Sequence, residues 1–348
     1  MLATKGFAAL QAGRDLEPFN FERRTLGTHD VLINIRYCGV CHSDIHQARD
    51  EWGDSLFPMV PGHEIVGTIQ DVGSAVTTFQ EGDIVGVGCF VDSCRTCTFC
   101  TQGQEQYCEP GMTFTYNGRD KQGEMTYGGY SNHIVVDAGY VLRIPSELAI
   151  EETAPLLCAG ITTYSPLRQW GVGKGHRLAV MGLGGLGHMA VKLGRALGAD
   201  VTVFSRTDSK QEDAKRLGAT DYVKTSQDGA FVRYARNFDF MIDTISAPHD
   251  LNANLELLKT DGTLIVVGVP EHPLSIDPFS LILRRRRVVG SLIGGIRETQ
   301  EMLDFCGNHG ITSDVEIISI QDINHAYARI VRGDVRFRFV IDMATLEY

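Results

Sequence analysis

The sequence predicts an α/β protein of two domains, one built mostly of β-strands and one built around a doubly wound parallel sheet. Its 348 residues are more than a single hydrophobic core usually serves. Residues 1–157 are dominated by short strands and glycine turns, whereas residues 158–295 alternate buried strands with helices behind a glycine-rich segment. We assign residues 296–348 to the first domain, because the predicted sheet of the second is complete before them.

Composition and charge argue against several classes of protein. The chain is 43% hydrophobic and 22% charged, and it has no apolar run of the ~20 residues that span a bilayer. A net charge of -11 argues against nucleic acid or an anionic membrane as a partner. The N-terminus lacks the features of a signal peptide, so we expect a cytoplasmic protein. Nine cysteines, seven of them between positions 38 and 108, then indicate metal ligands instead of disulfides.

The first metal-ligand pattern follows a predicted strand at residues 31–35. Cys41 precedes the segment Pro-Gly-His-Glu, which supplies the imidazole of His63 and the carboxylate of Glu64. Zinc favours such ligands, and a catalytic zinc takes three of them from the protein. The alternative for Cys41 is a small buried hydrophobic residue. Cys38 lies too close to Cys41 to share an open site, and we expect it to be structural.

The second pattern is the most specific local signal in the chain. Four cysteines with the spacing C-x2-C-x2-C-x7-C can close a tetrahedral site that leaves no room for substrate; they are Cys94, Cys97, Cys100 and Cys108. A zinc ribbon that contacts nucleic acid is the alternative. Between positions 92 and 124 there are five acidic and three basic residues, which is the wrong sign for binding phosphate.

A nucleotide-binding pattern begins at residues 178–181, an apolar run that predicts a buried strand. The glycine-rich segment 182–187 follows at once and opens a helix with a regular apolar stripe. Strand, glycines and helix in that order predict a dinucleotide site, with the pyrophosphate at the helix N-terminus.

The end of the next strand predicts which dinucleotide binds. Proteins that bind NAD usually carry an acidic residue there, but this chain has Ser205 and Arg206, followed by Lys210. A hydroxyl and a guanidinium suit the 2'-phosphate of NADPH. The alternative is a solvent-exposed loop, and Asp208 would weaken the prediction if its carboxylate reached the ribose.

Further strands and helices extend this domain. We predict helices over residues 210–217 and 251–259, and strands over residues 239–243, 263–267 and 288–293. The basic run at residues 284–287 directly precedes an apolar strand. A solvated surface or a subunit contact is favoured for this run over a nucleic-acid signal.

Together these motifs resemble the zinc-dependent medium-chain alcohol dehydrogenases, and most closely the cinnamyl-alcohol-dehydrogenase group, over essentially the whole chain. The segments that carry the resemblance are 41–46, 61–64, the four-cysteine segment, 158–164, 182–187, 267–269, 290–295 and 334–342. The resemblance implies a GroES-like catalytic domain and a Rossmann domain. It also implies two zinc ions per chain, one structural at the four cysteines and one catalytic at Cys41, His63 and Cys158, with Glu64 an occasional fourth ligand.

The resemblance further implies roles for individual residues. Asp44 would hold the ligand imidazole, and Ser43 would relay the alcohol proton to His46 by way of the nicotinamide ribose. The cofactor would contact Thr162, Gly182, Leu183, Gly184, Gly185, Leu186, Gly187, Ser205, Arg206, Lys210, Thr244, Val267, Gly268, Val269, Ser291 and Ile293. The substrate pocket would be lined by Trp52, Leu56, Phe57, Phe90 and Ile293.

The function implied by the resemblance is NADPH-dependent, reversible reduction of apolar or aromatic aldehydes to primary alcohols. The expected assembly is a homodimer formed through the nucleotide domain, with a small-molecule aldehyde or alcohol as substrate. The alternative is a non-catalytic zinc protein that binds NADPH as a sensor or structural component.

Overall fold

The computed structural model describes residues 1–270 and 272–347, which form two compact units. One unit comprises Met1–Ile161 with Gly294–Tyr348, and the other comprises Thr162–Ile293. Among the described residues, no helix is both long enough and apolar enough to cross a membrane.

The strands are β1 (Leu2–Ala8), β2 (Glu17–Arg23), β3 (Asp30–Val40), β4 (Ile65–Val72), β5 (Ile84–Val87), β6 (Phe90–Asp92), β7 (Thr113–Phe114), β8 (His133–Asp137), β9 (Leu142–Arg143), β10 (Arg177–Met181), β11 (Asp200–Ser205), β12 (Asp221–Lys224), β13 (Phe238–Asp243), β14 (Leu258–Val266), β15 (Arg287–Gly290), β16 (Val315–Ser319) and β17 (Arg338–Asp342). The α-helices are α1 (His42–Ala48), α2 (Thr98–Thr101), α3 (Ile150–Thr153), α4 (Ala159–Gln169), α5 (Gly185–Ala196), α6 (Gln211–Leu217), α7 (Ala230–Arg233), α8 (Leu251–Glu256), α9 (Pro278–Ile282), α10 (Ile296–His309) and α11 (Ile323–Val331).

The first unit is organised around β3, which lies inside a seven-stranded sheet. The strand order is β16-β17-β3-β4-β5-β9, and β8 also pairs with β3. Val31, Ile33 and Ile35 are buried on one face of β3, as the two-residue period of a strand requires. The C-terminal strand β17 pairs antiparallel with β3 and places Ile341 opposite Cys38. The last segment of the chain therefore lies beside the strand that leads into Cys41.

The second unit contains a six-stranded parallel sheet in the order β12-β11-β10-β13-β14-β15. The strand order reverses between β10 and β13, which is the switch point where doubly wound folds bind their ligands. In the core, the ring of Phe204 meets the rings of Tyr234 and Phe238 at centroid distances of 5.7 and 5.6 Å. The predicted fold class, an α/β chain with a doubly wound parallel sheet, is confirmed.

Two element ends differ from the prediction. The helix predicted over residues 251–259 ends at Glu256, because Leu258 begins β14 and pairs with Phe238. The strand predicted over residues 288–293 ends at Gly290. The first difference arises from long-range strand pairing that a local pattern does not contain.

The basic run at residues 284–287 is only partly solvated. Arg286 is buried, and its guanidinium pairs with Glu256 at 2.6 Å and donates to the carbonyl of Ser280. Arg285 forms an exposed pair with Asp261. The expectation of a solvated surface is therefore wrong for Arg286, which ties α8 and α9 to the sheet.

Candidate functional site

Four potential metal ligands converge inside the first unit. The donor atoms of Cys41, His63, Glu64 and Cys158 all lie within 4.8 Å of one another, and all four residues are buried. Cys41 caps α1, His63 and Glu64 immediately precede β4, and Cys158 ends a 3₁₀ turn. The two sulfur atoms are 3.9 Å apart. Two soft thiols and an imidazole at this separation suit zinc.

The orientation of His63 is fixed by Asp44. The His63 Nδ1 atom lies 3.2 Å from Asp44 Oδ1, which leaves Nε2 available as a ligand. Asp44 is fully buried and also accepts hydrogen bonds from the Cys41 N–H, the Gly62 N–H and the Tyr130 hydroxyl, at 2.8, 3.2 and 3.1 Å. Burial lowers the pKa of His63, but the negative charge of Asp44 outweighs it and the pKa lies well above its usual range. Asp44 therefore connects both sequence segments that carry ligands.

The two thiols of this set are tightly coupled. A hydrogen bond from Cys158, with the His63 imidazole as a further partner, lowers the pKa of Cys41 well below its usual range. Hydrogen bonding to Cys41 and Cys89 raises the pKa of Cys158. Because a thiol binds a metal ion as the thiolate, metal binding here is coupled to loss of the Cys158 proton.

Glu64 supplies a buried carboxylate with one free oxygen. Arg338, at the start of β17, donates to Glu64 Oε1, whereas Oε2 has no hydrogen-bond partner among residues 1–270 and 272–347. Burial raises the pKa of Glu64 to about 7, although the charge of Arg338 lowers it. A Cβ atom at Gly39 would lie 2.0 Å from Oε2, so only glycine leaves room for this carboxylate. The donor set fits a zinc ion bound by Cys41, His63 and Cys158, with Glu64 placed as a possible fourth ligand.

The four-cysteine segment forms a second, separate set. The sulfur atoms of Cys94, Cys97, Cys100 and Cys108 lie within 4.8 Å of one another. The backbone N–H groups of Cys94 and Cys97 point at Cys108 Sγ and Cys94 Sγ, each at 3.3 Å. Backbone N–H groups of Thr96 and Cys97 lower the pKa of Cys94 to about 6. Four sulfur donors complete a tetrahedral site, so this set fits a structural zinc ion.

The glycine-rich segment of the second unit has the close backbone approaches that a phosphate site needs. Gly182 follows β10 with a φ of +88°, and Gly184 caps helix α5. A Cβ atom at Gly187 would lie 2.1 Å from the Gly182 carbonyl oxygen, so glycine is required there. Thr244 donates to the Met181 carbonyl at 2.7 Å, and a Cβ at Gly268 would meet Ile245 O at 2.5 Å. The predicted glycine segment, Thr244 and the 267–269 segment are thus neighbours at the carboxyl ends of β10, β13 and β14.

The loop after β11 holds the residues that predict the cofactor. Ser205 ends β11 and is half-buried, Arg206 is exposed, and Lys210 Nζ donates to the Leu183 carbonyl at 2.8 Å. Asp208, the residue that could have favoured NADH, pairs with Lys224 at 2.6 Å. Two cations and a hydroxyl beside the glycine-rich segment fit an additional phosphate.

Comparison with known proteins identifies the family. The chain matches the alcohol dehydrogenase GroES-like domain over residues 27–146 and the zinc-binding dehydrogenase family over residues 185–308. NADP-dependent alcohol dehydrogenase C of Mycobacterium bovis is 54% identical over 346 residues, which cover 99% of this chain and 100% of the relative. This chain belongs to the zinc-binding alcohol dehydrogenases.

Two further matches agree with this family assignment. Aldehyde reductase YahK of Escherichia coli is 52% identical over 98% of this chain and 99% of its own. The structure of a cinnamyl alcohol dehydrogenase from Sorghum bicolor superposes with a TM-score of 0.97 at 44% identity, over 99% of both chains. The family that the motifs indicated, and the expectation of an oxidoreductase, are confirmed.

In this alcohol dehydrogenase the predicted relay residues lie on or beside α1. Ser43 Oγ is 3.6 Å from Cys41 Sγ, and His46 lies about one turn further along the helix. Trp52 stacks on His46 with a centroid distance of 5.0 Å and is 43% exposed. Two of these three side chains were predicted to act on protons and one to contact substrate; their roles stay predictions.

The other predicted pocket residues lie in different segments of the chain. Phe90 is buried edge-on against Tyr140, a contact typical of a core residue. Leu56 and Phe57 are half-buried in the segment before β4, and Ile293 is the last residue of the second unit. Two further predicted nucleotide contacts lie outside the glycine segment. Thr162 is a buried residue of α4 and the first residue of the second unit, and Ser291 directly follows β15.

Sequence reasoning missed three residues that contact a predicted ligand or relay residue. Arg338 pairs with Glu64 although 274 positions separate them, and Tyr130 donates to Asp44 from 86 positions away. The Glu51 carboxylate accepts a hydrogen bond from His46 Nδ1. Only the proximity of Glu51 to His46 in the sequence could have indicated a contact. Cys38 belongs to neither donor set and is fully buried, as expected for a structural residue.

Proposed function

We propose that this alcohol dehydrogenase catalyses the reversible, NADPH-dependent reduction of apolar or aromatic aldehydes to primary alcohols. The observation that carries the proposal is the buried convergence of Cys41, His63 and Cys158, because three such ligands leave one zinc position for substrate. The names of the relatives, an NADP-dependent alcohol dehydrogenase, an aldehyde reductase and a cinnamyl alcohol dehydrogenase, support the cofactor and the substrate class.

The protein's own residues orient the ligands and move a proton. When bound, zinc supplies a Lewis acid for the carbonyl oxygen, and NADPH supplies the hydride. Asp44 holds the His63 Nδ1 atom so that Nε2 faces the metal position. The Ser43 hydroxyl, beside Cys41, donates a proton to the substrate oxygen during reduction and takes it back during oxidation. His46, at the outer end of this relay, exchanges the proton with solvent.

We assign NADPH recognition to the loop after β11. Arg206 and Lys210 carry two positive charges, and Ser205 adds a neutral donor, at the position where a carboxylate would bind the ribose of NADH. The Lys224 ammonium engages the carboxylate of Asp208 at 2.6 Å. These contacts support a 2'-phosphate site.

We further propose the domain roles and the assembly. Residues 1–157 and 296–348 are the catalytic domain, and residues 158–295 bind the nucleotide. Helix α9 exposes Phe279 and Ile282, which are followed by exposed Leu283, and the neighbouring β15 is an edge strand of the parallel sheet. An apolar edge of this kind supports a homodimer formed through the nucleotide domain. We place the protein in the cytoplasm. Sedimentation of the purified chain as a monomer would contradict the assembly.

A direct assay tests the proposed reaction. Purified protein, loaded with zinc, is mixed with NADPH and an aromatic aldehyde such as cinnamaldehyde, and loss of the NADPH absorbance is followed. We expect turnover in the unmodified protein and none in Cys158→Ser, which removes one proposed ligand. A protein that binds NADPH and zinc but consumes no NADPH with any aldehyde of a broad panel would favour the sensor alternative.

A further inference from the structure

His249 lies in the loop that follows β13, and each nitrogen of its ring faces an acceptor. The Nε2 atom is 2.7 Å from Asp243 Oδ2, and the Nδ1 atom is 2.9 Å from the Ala247 carbonyl oxygen. Asp243 is the last residue of β13 and is buried, and the side chain of His249 is 13% exposed. The imidazole therefore joins the end of a central strand to the loop that leaves it.

The two acceptors decide the protonation state of this ring. An ionised carboxylate and a backbone carbonyl only accept hydrogen bonds, and a neutral imidazole has a single N–H to donate. Both contacts are made at once by the imidazolium, which has two. Among residues 1–270 and 272–347, the charged groups that face the ring are Asp243 and Asp250, the cap of α8. The hydrogen bond to Asp243 raises the pKa of His249, burial lowers it, and the charge of Asp250 adds to the rise.

Asp243 also holds the backbone of the neighbouring loops. Its second carboxylate oxygen accepts the Ile245 N–H at 3.1 Å, and its carbonyl oxygen accepts the N–H groups of Val267 and Gly268 at 3.0 and 2.9 Å. A Cβ atom at Gly268 would lie 2.5 Å from the Ile245 carbonyl oxygen. The loops after β13 and β14 are therefore packed too closely to move independently.

The loop that His249 holds also borders the glycine-rich segment. Thr244 donates to the Met181 carbonyl at 2.7 Å, and a Cβ atom at Gly182 would lie 3.1 Å from Thr244 Oγ1. Gly182 opens the segment whose backbone suits the cofactor phosphates. A displacement of the loop after β13 would therefore change the wall of the nucleotide site.

We propose that His249 is a positioning residue for NADPH, which as an imidazolium holds the loop after β13 in the shape that binds the cofactor. The inference rests on the proposed NADPH site at the glycine-rich segment. When the pH rises through the pKa of His249, the neutral ring keeps one hydrogen bond and turns a lone pair toward the other acceptor. The loop is then held less firmly, so NADPH affinity falls.

The first test measures NADPH affinity against pH. The zinc-loaded full chain is titrated with NADPH from about pH 6 to about pH 9, a range in which lysine and arginine keep their charge, and Kd is obtained from cofactor fluorescence. The His249→Gln amide can still donate to Asp243 but does not titrate. Titration of the cofactor's own phosphate is common to both proteins and cancels in the ratio of their Kd values.

That ratio has a definite expected course. The unmodified protein should bind NADPH about tenfold more tightly than His249→Gln at the acidic end, which is the factor that one hydrogen bond to a charged group contributes to an equilibrium. The two Kd values should converge at the alkaline end. A ratio that stays constant over this range overturns the proposal.

A second variant should reverse the sign of the effect. In Asp243→Asn, the amide oxygen can accept the Ile245 N–H while the NH₂ group donates to His249 Nε2. The neutral imidazole, protonated at Nδ1, then satisfies every contact, and the imidazolium does not. NADPH binding to Asp243→Asn should therefore strengthen as the pH rises. A loss of affinity equal to that of the unmodified protein would contradict the proposed role of the imidazolium.

The protonation of the ring is measured directly by NMR. The Cε1–H resonance of His249, assigned by its absence in His249→Gln, should titrate with a midpoint above the ordinary value of about 6.5. Saturating NADPH should raise this midpoint further, because the coupling between a bound proton and a bound ligand is reciprocal. A midpoint at or below about 6.5, or one that NADPH leaves unchanged, overturns the proposal.

A control variant and one further outcome separate this inference from the proposed function. His325→Gln removes an exposed histidine of α11 and should keep the pH dependence of NADPH binding seen in the unmodified protein. Failure of the unmodified protein to bind NADPH at any pH would refute the proposed function. Tight NADPH binding with the same pH dependence in His249→Gln would refute only the role of His249.

Discussion

Replacing Asp44 with asparagine should weaken zinc binding and destabilise the first unit. The Asp44 carboxylate accepts from Gly62 N–H and His63 Nδ1 at one oxygen, and from Cys41 N–H and the Tyr130 hydroxyl at the other. An asparagine presents one oxygen and one NH₂ group, so two of these four neighbours must face a donor.

The two orientations of the amide have different costs. With NH₂ toward Cys41 and Tyr130, the hydroxyl can rotate and accept, which leaves one backbone N–H unpaired. A buried unpaired donor costs about 1–3 kcal/mol. With NH₂ toward His63, the imidazole can satisfy it only by moving its own proton to Nε2, and Nε2 then cannot bind zinc. Loss of such an outer partner typically lowers metal affinity ~10–100-fold.

The assay measures retained zinc and unfolding separately. Asp44→Asn and the exposed control Asp15→Asn are dialysed against graded concentrations of a chelator, and zinc per chain is counted by atomic spectroscopy. We expect Asp44→Asn to lose the zinc of the His63 set at a lower chelator concentration and to retain the zinc of the four-cysteine set. Its urea midpoint at saturating zinc should also fall. Equal zinc retention and equal midpoints in the two variants would refute the account of Asp44.

Three further predictions test other parts of the structure. Cys97→Ser should reduce the zinc content from two ions to one and lower the Tm, because a closed thiolate site contributes folding energy, whereas Cys38→Ser should keep both ions. Glu105→Ala should destabilise the first unit by about 0.5–2 kcal/mol, since Glu105 Oε2 accepts the Ile296 N–H at 3.1 Å and caps α10; a Tm equal to the unmodified protein's would contradict this. For His249, the hydrogen bond to Asp243 raises its folded pKa, so its stabilising effect is complete below about pH 6.5 and declines as the pH rises through the folded pKa. The stability difference between the unmodified protein and His249→Gln should therefore shrink in alkaline urea titrations, and a pH-independent difference would refute it.

The parts of the site that could be predicted from sequence are those that depend on the spacing of nearby residues. The four cysteines lie within 15 residues, so short loops bring their sulfur atoms together whatever the rest of the chain does. The glycine segment likewise contains its own steric requirement, since Gly187 must approach Gly182 within the same turn. Neither inference depended on knowing which strands pair.

The parts that were missed depend on tertiary contacts. Arg338 reaches Glu64 only because β17 pairs with β3, and an arginine at the start of a strand carries no sign of that pairing. The basic run 284–287 predicts a solvated surface or a subunit contact because it directly precedes an apolar strand, yet Arg286 is buried against Glu256. The assignment of Cys158 to the metal site likewise rested on the family resemblance, because nothing near it in the sequence distinguishes it from a core cysteine.

The central claim, an NADPH-dependent aldehyde reductase, is tested most directly by kcat/KM for NADPH and NADH with one aromatic aldehyde. Each hydrogen bond to the charged 2'-phosphate contributes roughly 1.5–3 kcal/mol, and about 1.4 kcal/mol corresponds to tenfold. Contacts from Ser205 and Arg206 therefore predict a preference for NADPH of at least about tenfold, and Ser205→Asp should invert it by repelling the phosphate. Equal values for the two cofactors, or a preference for NADH in the unmodified protein, would contradict the account.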